Sequence, residues 1–577
     1  MDVSLDQART LLSACRDVID AAAARLAADS AEDGRIDVDL MDREQVLAYD
    51  LSSVAGQVAA GEQMLSYGEG GDLERLLAVA FAGDVAADLG ARLAGREASW
   101  GADAGWLGAD GAQALRAARS AELLETIADR VVADPELPRH LDDEQELIRL
   151  TFREFAEERV MPVAEGVHRE DTDIPEEIIQ GLADMGCFGM SIPQAHGGFA
   201  AGAGQGQGEG ERSEPGGRGS GQGEGQRSEP GSGQDHSTDD FMAMVFVTEE
   251  LSRGSLGVAG SLITRPEILS KALVKGGTDE QRLRWLPGIA SGELMCAVAV
   301  TEPDYGSDVA SIQVTATRDG EHYVVNGTKT WCTFGGRADL LMLLARTGGR
   351  DDGHRGLSLF VVEKPPYPGH AWTHEGTDGG TIQARAIGTL GYRGMHSFEL
   401  SFDDYRVPAA NLIGGDDGLG QGFYLQMDAF ANGRLQTAAR ALGVMQAAFE
   451  AAAGYAGQRH VFGVRLATYQ LTKAKLARMA YLLAACRAGS YHVARLLGAG
   501  DPAGQLEASM IKSLSCLAAE WITREAQQIH GGMGYAEEYA VSRYFVDARV
   551  LSIFEGADET LALRVIARRL LADALTA

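Results

Sequence analysis

A single glutamate near the C-terminal end of the chain has the sequence surroundings of a general base. Glu555 follows the apolar stretch 550–554 and precedes Gly556. Because apolar neighbours disfavour the charged form of a carboxylate, we expect the pKa of Glu555 to be raised, which suits acid–base catalysis. A solvated loop glutamate would show the same local sequence, so the motif alone leaves both interpretations open.

Two segments in the middle of the chain carry side chains that could contact a flavin. Residues 296–308 lead from a strand into a glycine-containing turn with Thr301 and Ser307, whose hydroxyls could donate hydrogen bonds to a flavin ring and a thioester. In the second segment, Trp331 could cover one face of the ring, and Thr333 could lie near its reactive nitrogen. The alternatives are a polar loop and a tryptophan of the hydrophobic core.

Two later segments could approach a phosphate. Arg459 could bind a pyrophosphate through its forked guanidinium group, although a surface arginine beside a packed Phe462 is the alternative. The segment that begins at Gln528 has glycine at 531, 532 and 534, where backbone without side chains permits close approach to a phosphate or another chain. It follows a helix and is not GxGxxG, so we exclude a Rossmann interpretation.

Taken together, these segments have the order and spacing of the acyl-CoA dehydrogenase family, which the chain resembles from about Asp143 to its end. The resemblance implies that FAD is the cofactor and that four residues line its flavin: Val300, Thr301, Trp331 and Thr333. It places Ser307 and Arg434 toward the thioester. Five more residues would reach the FAD of a neighbouring subunit: Arg459, Phe462, Gln470, Gln528 and Gly532.

The resemblance also assigns the chemistry and shows two departures. Glu555 would take the α-proton of an acyl-CoA while a hydride leaves the β-carbon for the flavin. Some relatives carry the base one residue before the Arg434 position, but here that residue is Gly433, which cannot serve. Ala557 stands where many relatives have a threonine that meets FAD, and Ala431 where many have an aspartate that contacts the pantetheine arm. Each of these two differences concerns one contact with FAD or with the pantetheine arm, and neither concerns the transfer of the proton and the hydride.

The N-terminal block and residues 261–269 narrow the resemblance to a subfamily with a long helical extension. The strings at 34–37, 43–51 and 64–68 carry it, and the implied reaction converts (2S)-methylsuccinyl-CoA to mesaconyl-CoA in the ethylmalonyl-CoA pathway. A succinyl-type substrate has a distal carboxylate, and burying that charge requires a cation. Arg265 lies where relatives line the acyl pocket. The alternative is a helix-terminal arginine in a surface ion pair.

Composition restricts the class of protein. The 577 residues have a formal net charge of −32, which argues against nucleic-acid binding. The six cysteines are scattered, with no CxxC pair and no histidine at metal spacing, so we expect neither a disulfide framework nor a metal site. The N-terminus lacks signal-peptide character, and the longest apolar runs, such as 340–345, are too short to span a bilayer. We expect a cytoplasmic protein.

The hydrophobic pattern predicts the elements that position these residues. Helical periodicity marks an N-terminal extension (1–140), a second helical domain (141–295) and a C-terminal part (416–577), while alternating runs mark a β domain at 296–415. We therefore expect a mostly helical α+β fold. The family implies a β-barrel-like middle domain and a C-terminal four-helix bundle. A Gly-rich insert at about 200–238 has almost no apolar residues and is predicted to be a flexible loop.

Several functional alternatives stay open at this stage. The chain could be a dehydrogenase of another short or branched acyl-CoA, an acyl-CoA oxidase, or a flavin-free scaffold, which the presence of Glu555 and Arg459 argues against. The resemblance implies electron-transfer flavoprotein as the electron acceptor and a homodimer or homotetramer as the assembly.

Overall fold

The N-terminal extension is a set of helices that shares one hydrophobic core with the C-terminal helices. The computed structural model describes residues 3–200 and 235–576. Helix α1 buries Leu11, Leu12 and Cys15 at the helical spacing that the sequence shows. The elements of this part are α1 (Leu5–Asp29), β1 (Ala31–Glu32), β2 (Arg35–Ile36), α2 (Val38–Met41), α3 (Gln45–Tyr67), α4 (Asp72–Leu93), α5 (Gly108–Ala118) and α6 (Ala121–Ala133).

Polar contacts fasten this extension to the segment that follows Glu555. The hydroxyl of Tyr49 donates to Asp558 Oδ2 at 2.6 Å. Ser52 Oγ donates to the carbonyl oxygen of Ala562 at 2.8 Å. Because both donors lie on α3, this one helix of the extension supports the backbone next to the candidate base.

The second helical part surrounds α10, a mostly buried helix. It contains α7 (Asp143–Phe155), α8 (Met161–Glu170), α9 (Glu176–Asp184), α10 (Asp235–Gly254), α11 (Thr264–Gly276) and α12 (Asp279–Ala290). On α10, the buried Glu249 is held by Arg139 and Arg487 at 2.6 and 2.7 Å. The Gly-rich insert predicted at about 200–238 falls largely outside the described residues.

The middle of the chain forms a curled sheet of eight strands. Its strands are β3 (Cys296–Ala299), β4 (Thr315–Asp319), β5 (His322–Thr333), β6 (Leu340–Arg346), β7 (Leu357–Glu363), β8 (Ala371–Glu375), β9 (Thr381–Ile387) and β10 (Ser397–Pro408). The order is β3-β6-β4-β5-β10-β9-β8, and β7 pairs with β6. The carboxyl ends of β3 and β5, where Val300 and Thr333 lie, are close enough for a backbone hydrogen bond from Thr330 to Thr301 (2.8 Å).

The C-terminal part returns to long helices that pack as a bundle. It contains α13 (Gly422–Gln458), a ribbon of β11 (His460–Val461) and β12 (Val464–Arg465), α14 (Gln470–Gly498), α15 (Ala503–His530), α16 (Gly532–Tyr535), α17 (Ala540–Ala548), α18 (Asp558–Thr560) and α19 (Arg568–Thr576). The predicted fold class is confirmed, whereas the domain boundaries at 140, 295 and 415 stay predictions. Within the described ranges, no helix combines the length and apolar character needed to cross a bilayer.

Candidate active site

Glu555 lies in a tight turn before α18, and its carboxylate points at α13. Its φ is +53° and that of Gly556 is +97°, so the turn places two residues in the left-handed region. Arg440 Nη2 donates to Glu555 Oε2 at 2.6 Å, and the hydroxyl of Thr437 lies 2.5 Å from the same oxygen. The Glu555 side chain is 11% exposed and that of Arg440 is fully buried. The candidate base is therefore held in one orientation.

The charge around this carboxylate corrects the expectation of a raised pKa. Burial by itself would raise the pKa of Glu555, but the positive charges of Arg440 and Arg265 and the Thr437 hydroxyl outweigh it, and the pKa is lowered. The expectation was wrong because the deciding charges lie on α13 and α11, far from Glu555 in sequence. At neutral pH Glu555 is therefore ionised and able to accept a proton.

Gly433 faces the same carboxylate. A Cβ atom added at Gly433 would lie 3.3 Å from Glu555 Oε2. The family resemblance offers positions 433 and 555 for the base, and in this fold the two positions lie next to each other. Ala431, which stands where many relatives have an aspartate, lies two residues before Gly433 on α13. Its side chain is not among those that the structure describes.

Two further arginines lie near the candidate base; Arg265 is buried and Arg434 is partly buried. The Arg265 side chain contacts the Tyr392 ring (6.0 Å from guanidinium carbon to ring centroid) and donates to the carbonyl oxygen of Ser261 at 3.3 Å. Its charge acts on Glu555, yet in the described part of the chain no carboxylate pairs with it within 4.0 Å. The alternative of a surface ion pair therefore does not hold, because Arg265 is only 7% exposed.

Arg434 occupies a different environment on α13. Its Nη1 donates to Ser509 Oγ on α15 at 3.1 Å, and burial lowers the pKa of its guanidinium. The next turn of the same helix carries Thr437 and Arg440. The structure thus brings Arg434, Arg265 and Glu555 to one region, as the sequence predicts for the two arginines and the base.

The segments predicted to line a flavin meet at one edge of the sheet. Glu302 fixes the first segment, since its carboxylate accepts from Val314 N and from the buried Lys329 Nζ, both at 2.8 Å. Trp331 is 54% exposed with φ +57°, so it is not a core tryptophan. Thr333 is buried, and its hydroxyl lies 3.0 Å from Ser397 Oγ. An exposed aromatic face beside a buried hydroxyl is a suitable surface for a flavin ring.

Ser307 connects this edge of the sheet with the turn that carries Glu555. Thr560 Oγ1, at the end of α18, donates to Ser307 Oγ at 3.1 Å. Val300 lies at the end of β3, where its carbonyl accepts from Lys329 Nζ at 2.8 Å. The hydrogen bond between Thr560 and Ser307 therefore joins the loop after β3 to the segment that follows Glu555.

The residues predicted to reach a neighbouring subunit's FAD form a second, exposed group. Phe462 is 95% exposed at the tip of the β11–β12 ribbon. The ring of Tyr455, in the last turn of α13 before the ribbon, stacks on His530 at 4.3 Å. This contact brings the start of the ribbon close to the end of α15, where Gln528 lies, and to Gly532 at the start of α16. The Gln470 side chain donates to Glu125 of the N-terminal extension at 2.7 Å.

Sequence analysis missed Arg440, Thr437 and Tyr392. Gly433, Thr437 and Arg440 recur at i, i+4 and i+7 on α13 and therefore share one face of the helix. A polar stripe on a helix rich in alanine and leucine was the signal that could have identified them. Tyr392 had no such signal; its ring packs edge-on against Phe554 at 5.6 Å.

Comparisons with known proteins agree with this arrangement. Three family models match: acyl-CoA dehydrogenase N-terminal domain (residues 142–205 and 231–293), middle domain (297–405) and C-terminal domain (420–571). The chain is 43% identical over 432 residues to (2S)-methylsuccinyl-CoA dehydrogenase of Cereibacter sphaeroides, covering 75% of this chain and 70% of that one. It is 34% identical to an acyl-CoA dehydrogenase of Bacillus subtilis, covering 75% and 99%. The structure of butyryl-CoA dehydrogenase from Megasphaera elsdenii superposes with a TM-score of 0.62 at 27% identity, covering 75% and 100%.

Proposed function

Since the chain belongs to the acyl-CoA dehydrogenase family of FAD-dependent oxidoreductases, we propose that its substrate is (2S)-methylsuccinyl-CoA and its product mesaconyl-CoA, within the ethylmalonyl-CoA pathway. The observation that carries this choice is Arg265, a buried guanidinium near the candidate base with no carboxylate partner in the described part of the chain. The identity to the Cereibacter sphaeroides enzyme supports it.

Glu555 is the proposed base for the α-proton. Its lowered pKa keeps it ionised at neutral pH, and Arg440 with Thr437 fixes the direction of its free lone pairs. When bound, FAD supplies the acceptor for the hydride that leaves the β-carbon. Val300, Thr301, Trp331 and Thr333 would hold the flavin.

The remaining predicted contacts keep their roles within this proposal. Ser307 and Arg434 lie toward the thioester. Residues of a second copy of the chain would complete the FAD site: Arg459, Phe462, Gln470, Gln528 and Gly532. The exposure of Phe462 supports such a contact between copies, in a homodimer or homotetramer. Electron-transfer flavoprotein is the proposed electron acceptor.

Charge balance in the pocket favours a substrate with a distal carboxylate. Because Arg440 pairs with Glu555, the charge of Arg265 is an excess that no carboxylate of the described residues offsets within 4.0 Å. A carboxylate of the substrate paired with Arg265 would neutralise the excess, whereas butyryl-CoA would leave a buried cation unpaired. Such an unpaired charge costs about 2–5 kcal/mol, or roughly 30- to 4,000-fold in kcat/KM.

Substitution of Arg265 tests the substrate. We expect Arg265→Met to lower kcat/KM for methylsuccinyl-CoA by roughly 30- to 4,000-fold and to leave kcat/KM for butyryl-CoA unchanged. The measurement is anaerobic flavin bleaching with both thioesters, and Arg549→Met, which removes a half-exposed arginine, is the control. Equal losses on the two substrates would assign Arg265 to the fold. A wild type that prefers butyryl-CoA would contradict the substrate proposal, and rapid peroxide formation in air would indicate an oxidase.

A further inference from the structure

Two histidines and two aspartates from three distant segments meet where α8 joins the sheet. Asp171 and Asp173 follow α8, His370 directly precedes β8, and His396 directly precedes β10. One ligand-type atom from each of Asp171, His370 and His396 lies within 4.8 Å of the others. None of these residues belongs to the candidate active site. Because their positions are far apart in the chain, no local spacing motif could predict them.

Both histidines approach the carboxylate of Asp171, each on a different oxygen. His370 Nε2 lies 3.4 Å from Asp171 Oδ2, and His396 Nδ1 lies 3.8 Å from Asp171 Oδ1. Zinc–nitrogen and zinc–oxygen bonds of about 2.0–2.1 Å place neighbouring ligand atoms about 3.3–3.4 Å apart. Two imidazoles with a carboxylate are a ligand set found in zinc sites, and one that iron also accepts, whereas calcium and magnesium take oxygen ligands.

Asp173 occupies the position of an outer carboxylate that orients a metal-binding histidine. Its Oδ1 lies 3.1 Å from His396 Nε2, the ring nitrogen that would not bind the metal. Its Oδ2 accepts from the backbone N–H of Gly369, the residue before His370. A carboxylate beside the free nitrogen of a ligand histidine is typical of protein metal sites, and here the two groups are adjacent without a completed hydrogen bond.

We propose that Asp171, His370 and His396 bind one Zn²⁺ ion, with Asp173 as the orienting carboxylate. A water molecule as the fourth ligand would reach the ion from the solvent side, where the His370 side chain is half-exposed and that of Asp171 is partly exposed. The competing cation is Arg393, whose Nε lies 3.7 Å from Asp171 Oδ1.

Such an ion would connect α8 with β8 and β10. The carbonyl oxygen of His396 also accepts from the backbone N–H of Phe334 at 2.8 Å, directly after Thr333. The ion would therefore stabilise the end of the strand that carries the proposed flavin contacts.

Zinc titration of the full-length, tag-free, FAD-loaded protein tests this proposal after dialysis against a chelator. Calorimetry with ZnCl₂ is expected to show one saturable equivalent per chain, and Co²⁺ at the same site is expected to give visible d–d absorption. His370→Gln removes a half-exposed ligand and should abolish the saturable equivalent. Asp173→Asn, which loses only the orienting carboxylate, should weaken binding about 10- to 100-fold.

The control uses a histidine–aspartate pair without a second histidine. His322 Nε2 lies 3.3 Å from Asp378 Oδ2 on the sheet, and His322→Gln should leave zinc binding unchanged. The proposal is overturned if no saturable equivalent is found, if His370→Gln binds zinc like the wild type, or if His322→Gln loses binding to the same extent. Because the readout is metal binding, failure here leaves the acyl-CoA dehydrogenase function unaffected.

Discussion

Replacing Arg440 by methionine tests how the protein sets the charge of its candidate base. Arg440 is fully buried, donates to Glu555 at 2.6 Å and lies 4.8 Å from the Phe554 ring centroid. Removing one partner of a buried ion pair typically costs about 3–5 kcal/mol of folding free energy. Without the Arg440 charge, burial acts on the carboxylate with less opposition, so the pKa of Glu555 should rise.

The predicted pH dependence has a definite sign. In the wild type the folded-state pKa of Glu555 lies below its ordinary value of 4.5, so its ionised form stabilises the fold above that pH, and this contribution is lost as the pH falls. In Arg440→Met the acid limb of flavin reduction should move to higher pH. The assay is stopped-flow anaerobic reduction by methylsuccinyl-CoA across the acid range, with urea unfolding for stability.

A matched variant separates this effect from general destabilisation. Arg487 is also buried and pairs with Glu249 at 2.7 Å, outside the candidate site. Arg487→Met should lose stability without moving the acid limb. An acid limb that stays in place in Arg440→Met, or that moves equally in Arg487→Met, would refute the view that Arg440 keeps Glu555 ionised.

Two further predictions concern the turn that carries the base. Glu555→Gly should lose most activity, and adding Gly433→Glu should restore part of it, because a side chain at Gly433 starts 3.3 Å from the Glu555 carboxylate; a double variant no faster than the single one in flavin reduction would contradict this. Tyr49→Phe removes a hydrogen bond to Asp558 and should cost about 1.5–3 kcal/mol of stability. An unchanged urea midpoint would show that α3 does not support this turn.

The local sequence was sufficient to predict those features that depend only on a residue's own segment. The hydrophobic periodicity of α1 and the return to long helices after the sheet were readable because burial repeats at fixed spacing. The order of Thr301, Trp331, Arg459 and Glu555 identified the family before any contact was visible.

Properties that depend on distant segments could not be predicted. The pKa of Glu555 was expected to be raised, because the apolar stretch before it is visible in sequence while the Arg440 charge on α13 is not. Gln470 contacts Glu125, and this pairing depends on how the N-terminal extension packs against α14. The cluster around His396 could not be predicted either, since three separate segments of the chain supply its residues.

The most direct test of the central claim is the rate of flavin reduction in Glu555→Gln. This substitution keeps the size of the side chain and an oxygen that can accept a hydrogen bond from Arg440, but removes the base and the charge that pairs with Arg440. The variant should remain folded and yellow with bound FAD, while anaerobic bleaching by methylsuccinyl-CoA should slow by about 10²- to 10⁴-fold. A variant that bleaches at nearly the wild-type rate would contradict the assignment of Glu555 as the base.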